Sequence, residues 1–196
     1  MKIHTMFTYD LYERIGGLSE HLPEFAARLS AIERDVRRLA PENSGTSIPH
    51  IFADEPSLQP VLNIFRDFVA EIAGVSIAKV SCVRSWCFVA RGLEFVFFDR
   101  HQWWSHAQPS KETGLHNHLP YHFTGVYYVA VPSDPPQPIQ FLNPIPGGFK
   151  QCDWFMWTPS EDRMLVFESH LWHRVPPSAN AGADRISLSM DALVIG

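Results

Sequence analysis

Leu18, Leu22, Phe25, Leu29, Ile32, Val36 and Leu39 recur at alternating steps of four and three. That spacing predicts an amphipathic helix, with Ser19 as its N-cap and Pro41 as its stop. A second helix is predicted from the stripe Leu58, Val61, Leu62, Phe65, Phe68, Val69 and Ile72. Ser57 is its candidate cap, Pro60 falls in its first turn and Gly74 is a C-terminal glycine. Between them, Pro41 to Pro56 is rich in Pro, Ser, Asn and Gly and reads as a loop.

From Lys79 the period changes. Strand-like runs cover 79–90, 94–98, 123–131, 138–142, 153–157, 164–168 and 184–195, each bounded by turn residues. Four prolines between Pro132 and Pro138 make that segment a loop or an edge connection. Helices followed by seven or eight strands predict a mainly β chain, an antiparallel sandwich or barrel with helices packed on one outer face. No internal repeat interrupts 1–196, so one domain is expected: a helical part over 1–78 and the β part over 79–196. In the last run Ile186, Leu188 and Met190 alternate with Arg185, Ser187 and Ser189. One face therefore suits packing and the other is polar, as on an edge strand facing water or on a strand lining a site.

Composition narrows the partners. The chain has 196 residues, 45% hydrophobic, 13% aromatic and 19% charged, which is the ordinary globular class. A formal charge of −5, a sequence pI near 6.0 and the lack of a basic run argue against nucleic acid as a partner. Residues 1–17 carry no apolar h-region, and no run reaches the roughly 18 apolar residues of a spanning helix, so a soluble cytoplasmic protein without a membrane partner is expected. Cys82, Cys87 and Cys152 match no zinc or redox spacing and are expected to be reduced, mostly buried thiols.

Candidate chemistry sits in the histidines. His116 and His118 lie at i, i+2, between Gly114 and Pro120 and just before the run 123–131. Alternation along an extended chain puts both imidazoles on one face, as a chelating pair requires. With ten histidines in the chain such a pair also arises by chance, so a third ligand is needed. His170 and His173 both qualify, in the turn after the run 164–168. Arg185 offers a planar fork for a carboxylate, and Ser187 lies on its side of the same strand. A metal with open positions beside a carboxylate clamp reads as an oxygen-activating enzyme. Trp86, Trp103, Trp104, Tyr127 and Trp172 are candidate walls of its cavity.

Several short motifs, in order, carry a resemblance. Ser85-Trp86, His116-Asn117-His118, Thr124-Gly125-Val126-Tyr127-Tyr128 with Val131-Pro132, Leu165-Val166-Phe167, Leu171-Trp172-His173 and Arg185-Ile186-Ser187 together resemble a family of 2-oxoglutarate- and iron(II)-dependent oxygenases. The likeness covers roughly residues 79–195. It implies a double-stranded β-helix, a jelly-roll barrel of cupin-like form. It also implies His116 and His173 as iron ligands, which decides between His170 and His173, and Arg185 with Ser187 as the site for the far carboxylate of 2-oxoglutarate. The implied activity is a dioxygenase that oxidises an unactivated C–H bond of a small-molecule or peptide substrate while 2-oxoglutarate becomes succinate and carbon dioxide.

One departure stands out. The wider superfamily places a carboxylate where this chain has His118. A three-histidine iron site on His116, His118 and His173 is the expectation, ahead of a two-histidine site completed by water or an anion, or a barrel without oxygenase chemistry. Leu119 also intervenes before Pro120, where the family has proline directly after the second histidine. The same residues fit two other readings. One is a cupin-type three-histidine dioxygenase or isomerase that does not use 2-oxoglutarate; the other is a non-catalytic barrel that binds a small acid. The substrate and the oligomeric state are not legible.

Overall fold

Two kinds of strand build the sheets: those over Tyr9–Ile15 and Ile139–Leu142 alternate in burial, whereas those over Phe123–Ala130, Arg163–Glu168 and Asp184–Val194 are buried almost throughout. The computed structural model describes residues 1–6, 9–39, 51–91, 94–97, 113–132, 138–143, 154–175 and 184–196. In chain order these form β1 (Lys2–Met6), β2 (Tyr9–Ile15), α1 (Leu22–Leu39), α2 (Ile51–Asp54), α3 (Gln59–Ala73), β3 (Val80–Arg91), β4 (Glu94–Phe97), β5 (Thr113–His116), β6 (Phe123–Ala130), β7 (Ile139–Leu142), β8 (Trp154–Trp157), β9 (Arg163–Glu168), β10 (His173–Val175) and β11 (Asp184–Val194).

A seven-stranded sheet runs β1-β2-β9-β6-β11-β3-β4 and a four-stranded sheet runs β5-β10-β7-β8. All the pairings among these strands are antiparallel. On one face of the large sheet, Val89, Tyr127, Val166, Ile186, Leu188 and Met190 pack against Phe25 and Leu29 of α1 and Val61, Phe65 and Phe68 of α3. On the other face, Leu11, Val126, Tyr128, Leu165 and Phe167 meet Ile139, Phe141 and Trp157 of the small sheet. The helices therefore cover one side of the large sheet and the small sheet covers the other. Both strand orders are open, so the described residues form two facing sheets and not the closed barrel expected.

The strand alternation explains this layering. At β11 the pairing shifts by one residue on each side, and in both places the extra residue belongs to the neighbour: Val83 in β3 and Val129 in β6. The alternation along β11 thus runs unbroken from Arg185 to Asp191. At Gly125 a Cβ would meet the Phe65 ring at 2.5 Å, so this glycine lets α3 lie directly on β6.

Several expectations change. α1 begins two residues later than predicted, after a 3-10 turn over Ser19–His21, and Ser19 does not cap it. Its hydroxyl instead donates to Asp162 Oδ2 (2.8 Å). That carboxylate also accepts from the Gly17 and Leu18 amides and the Tyr127 hydroxyl (2.7 Å), tying the entry of α1 to the turn before β9. Burial pushes the Asp162 carboxyl up, but these four donors outweigh it and hold it below the usual carboxylate range. Ser57 likewise lies in a 3-10 turn, Pro56–Leu58, and not at the cap of α3, whereas Gly74 closes α3 in the left-handed conformation (φ 65°). The segment read as a loop contains α2; Pro41 lies outside the described residues.

Four strands were not anticipated: β1, β2, β5 and β10. In β2 the buried alternate positions are Leu11 and Glu13, so a charged residue breaks the apolar pattern. Glu13 is bonded to His4 (2.7 Å) and lies near Arg163 (3.3 Å). Cys82 and Cys87 are free thiols, partly and fully buried; burial pushes the Cys82 thiol up to about 12. Cys152 lies outside the described residues. Among the described residues no helix is long and apolar enough to cross a membrane.

Candidate metal centre

Strand pairing assembles the histidines. β5 and β10 are neighbours in the small sheet, and their register sets His116 directly opposite His173. Two residues beyond His116, the chain leaves the strand and the His118 amide donates to the Ser169 carbonyl (2.8 Å). That bond turns the His118 ring back over the pair. The ring centroids lie 5.1 Å apart for His116–His118, 4.5 Å for His116–His173 and 5.0 Å for His118–His173. One ligand atom from each ring falls within 4.8 Å of the others, a group that can hold a metal ion.

The outward ring nitrogens are engaged. His173 Nδ1 lies 2.9 Å from the Leu171 carbonyl oxygen, which only an N–H can satisfy, so the Nδ1–H form leaves Nε2 with its lone pair. His118 Nδ1 lies 2.9 Å from Asp191 Oδ1, while its buried Nε2 has no hydrogen-bond partner among the described residues. An orphaned nitrogen in so buried a place is costly unless something binds it. Burial, then the neighbouring His116 and His118, push the His173 imidazole well below its ordinary range, which keeps it neutral as a ligand must be. The donor set therefore fits a divalent ion of borderline character such as iron(II).

The fork enters from the facing sheet. Arg185 is 1% exposed and Ser187 2%, and both line the cavity that the three histidines line. β11 is an interior strand between β6 and β3, and Arg185, Ser187 and Ser189 on its polar face line the cavity between the sheets, so that face looks into the sandwich and not into water. The Arg185 Cζ lies 5.3 Å from the Tyr128 ring centroid. The Tyr128 hydroxyl is buried and has no hydrogen-bond partner among the described residues. Burial lowers the Arg185 pKa and raises that of Tyr128, and each group opposes the shift of the other. Trp86 and Phe88 of β3, with Val126 of β6, supply apolar wall.

His116, His118, His173, Arg185 and Ser187, five positions spread over 72 residues, thus meet in one cavity between the sheets. Of the other described candidates, Trp86 reaches it and the rest do not. His170 sits beside Glu168 (3.3 Å) and edge-on to Tyr9, and His122 accepts from the Val194 amide (2.9 Å) at an exposed position. Trp86 stacks on His118 (5.2 Å), but Tyr127 faces the helices and Trp172 is 45% exposed. Trp103 and Trp104 lie outside the described residues.

Sequence reasoning missed Tyr128, Thr124, Arg84 and Asp191. Asp191 accepts from His118 Nδ1, from Thr124 Oγ1 (2.8 Å) and from Arg84 (2.7 Å) and is fully buried. The parity of β11 held the signal, since Arg185, Ser187, Ser189 and Asp191 share one face.

Known proteins resemble the chain along these lines. A family model described as "Putative 2OG-Fe(II) oxygenase" matches residues 101–191, just under half the chain, a span that contains all five site residues. A prolyl-4-hydroxylase from Pseudomonas putida shares the fold at a TM-score of 0.59 and 13% identity, over 96% of this chain and 90% of that one. HygX from Streptomyces hygroscopicus, a structure with iron bound, gives 0.52 and 12% over 93% and 81%. An oxidoreductase of the 2OG-Fe(II) oxygenase family from Burkholderia pseudomallei gives 0.45 and 16%; the match covers 69% of this chain and spans about half (55%) of that one. No curated protein matches the sequence. The family that the model describes is an iron(II) and 2-oxoglutarate family, and the three histidines form a group able to hold its metal.

Proposed function

We propose that this chain is a 2-oxoglutarate- and iron(II)-dependent dioxygenase that oxidises an unactivated C–H bond of a small-molecule or peptide substrate, on a double-stranded β-helix scaffold. The observation that carries this reading is the convergence of three imidazoles with Arg185 and Ser187 in one buried cavity. His116, His118 and His173 would hold the iron, and the bound metal with 2-oxoglutarate would supply oxygen activation, with succinate and carbon dioxide as co-products.

The protein's own part is orientation and shelter. Arg185 offers a charge-assisted fork to the far carboxylate of the cosubstrate, and the Ser187 hydroxyl adds a donor on the same face. The buried Tyr128 hydroxyl, beside Arg185, is a third donor for that anion. Trp86, Phe88 and Val126 give the cavity apolar wall, against which such bonds are stronger than in solution. The absence of a carboxylate from the ligand group favours one other reading, a three-histidine metal enzyme in which Arg185 binds the acid group of the substrate itself. Protein loaded with iron(II) without oxygen, then given air, separates the two. Oxygen uptake and succinate formation that depend on added 2-oxoglutarate are expected; uptake without that dependence would remove the proposed cosubstrate.

A further inference from the structure

We infer that Asp191 is a positioning residue that fixes His118 as a metal ligand, an inference that rests on reading the three histidines as a metal centre. The geometry is specific. A carboxylate has only lone pairs to offer, so at 2.9 Å from Oδ1 the His118 Nδ1 must carry the hydrogen. Were it bare, two lone pairs would face one another. Arg84 Nη2 also lies within hydrogen-bonding distance of that nitrogen, at 3.3 Å, but it stands closer to Asp191 Oδ2 (2.7 Å), and the carboxylate contact to Nδ1 is the shorter of the two. With the proton on Nδ1, the lone pair is on Nε2, the buried atom that has no hydrogen-bond partner among the described residues, in a ring that packs beside the other two.

Asp191 is itself held on both oxygens. Oδ2 accepts from Arg84 Nε and Nη2, both at 2.7 Å, and Oδ1 accepts from Thr124 Oγ1 at 2.8 Å. Thr124 is braced in turn by the Ser169 hydroxyl (2.9 Å), and the Ser169 carbonyl holds the His118 amide. One buried network therefore fixes backbone, ring and tautomer of His118 together. Trp86, stacked on the ring, closes the remaining side. The carboxylate that the ligand group lacks thus stands one hydrogen bond behind it, where it strengthens the imidazole as a donor without touching the metal.

Two measurements on the full chain test this. In the metal-free wild type with ¹⁵N-labelled histidine, the His118 resonance, assigned against His118→Gln, is expected in the Nδ1–H form; the Nε2–H form overturns the inference, whatever the variants do. Calorimetric titration with cobalt(II), followed also by its visible absorption, is expected to show about 10- to 100-fold weaker binding in Asp191→Asn. Wild type that binds cobalt while Asp191→Asn binds it equally well, with the same spectrum, overturns the role of Asp191 alone. Wild type that binds none overturns the metal centre and, with it, this inference.

Discussion

Replacing Arg185 by glutamine is the sharpest test of the cavity's anion specificity, because it removes the charge while nearly keeping the volume. Arg185 is 1% exposed and enters the cavity from the first residues of β11, an interior strand of the large sheet. A hydrogen bond to a charged group contributes about 1.5–3 kcal/mol, and the fork offers two, whereas the glutamine amide returns one neutral bond of about 1 kcal/mol. The net loss is about 2–5 kcal/mol, which corresponds to roughly a 30- to 4,000-fold weaker 2-oxoglutarate complex. The assay is 2-oxoglutarate binding to the iron-loaded protein without oxygen, followed by succinate release at varied cosubstrate. The apparent KM should rise by a similar factor. Metal affinity should stay within about threefold, since Arg185 is not a ligand. A folded, metal-loaded Arg185→Gln protein with wild-type affinity for 2-oxoglutarate would refute the reasoning, and the guanidinium would have to serve some other anion.

His173→Ala takes away the ligand that β10 sets opposite His116, so elemental analysis after iron loading should find the metal near background; stoichiometric iron in this variant would exclude His173 from the ligand set. Gly125→Ala drives a methyl into the Phe65 ring, where a Cβ has 2.5 Å, and should lower unfolding free energy by about 1–3 kcal/mol in urea, an effect absent if α3 can shift away. The carboxyl of Asp162 is held below its unfolded value of 3.8, so its contribution is complete above that pH and is lost as the pH falls through the lower folded value. Asp162→Asn should accordingly be less stable than wild type at pH 7, with the gap closing as the pH falls below 3.8 through the lower folded value; a gap independent of pH would contradict the assignment.

The β region was legible because its strands are either apolar throughout or strictly alternating. The runs 79–90, 123–131, 138–142 and 164–168 fall within a residue or so of β3, β6, β7 and β9. β10 escaped because three residues, His173–Val175, carry no period at all, and only partners on both sides define it. Ser19 and Ser57 have the right chemistry for caps, but tertiary donors and acceptors intervened: the Asp162 carboxylate takes the Ser19 hydroxyl, and a Pro56 turn precedes α3. Tyr127 and Tyr128 show what a motif cannot resolve, since adjacent residues on a strand point to opposite faces and only the second reaches the cavity. Asp191 was hidden for a different reason. Its partners Arg84, His118 and Thr124 lie 107, 73 and 67 residues away along the chain.

β11 follows every other described strand in the chain, yet it inserts between β3 and β6, which precede it. Until it docks, the imidazoles of β5 and β10 have neither the fork nor the aspartate behind them, and both faces of the neighbouring strands are incomplete. This one strand thus carries two duties at once: Ile186, Leu188 and Met190 form floor for the helix layer, and Arg185, Ser187 and Ser189 form wall for the cavity. A change along β11 that tilts the strand therefore reaches the packing of the helices and the anion clamp together.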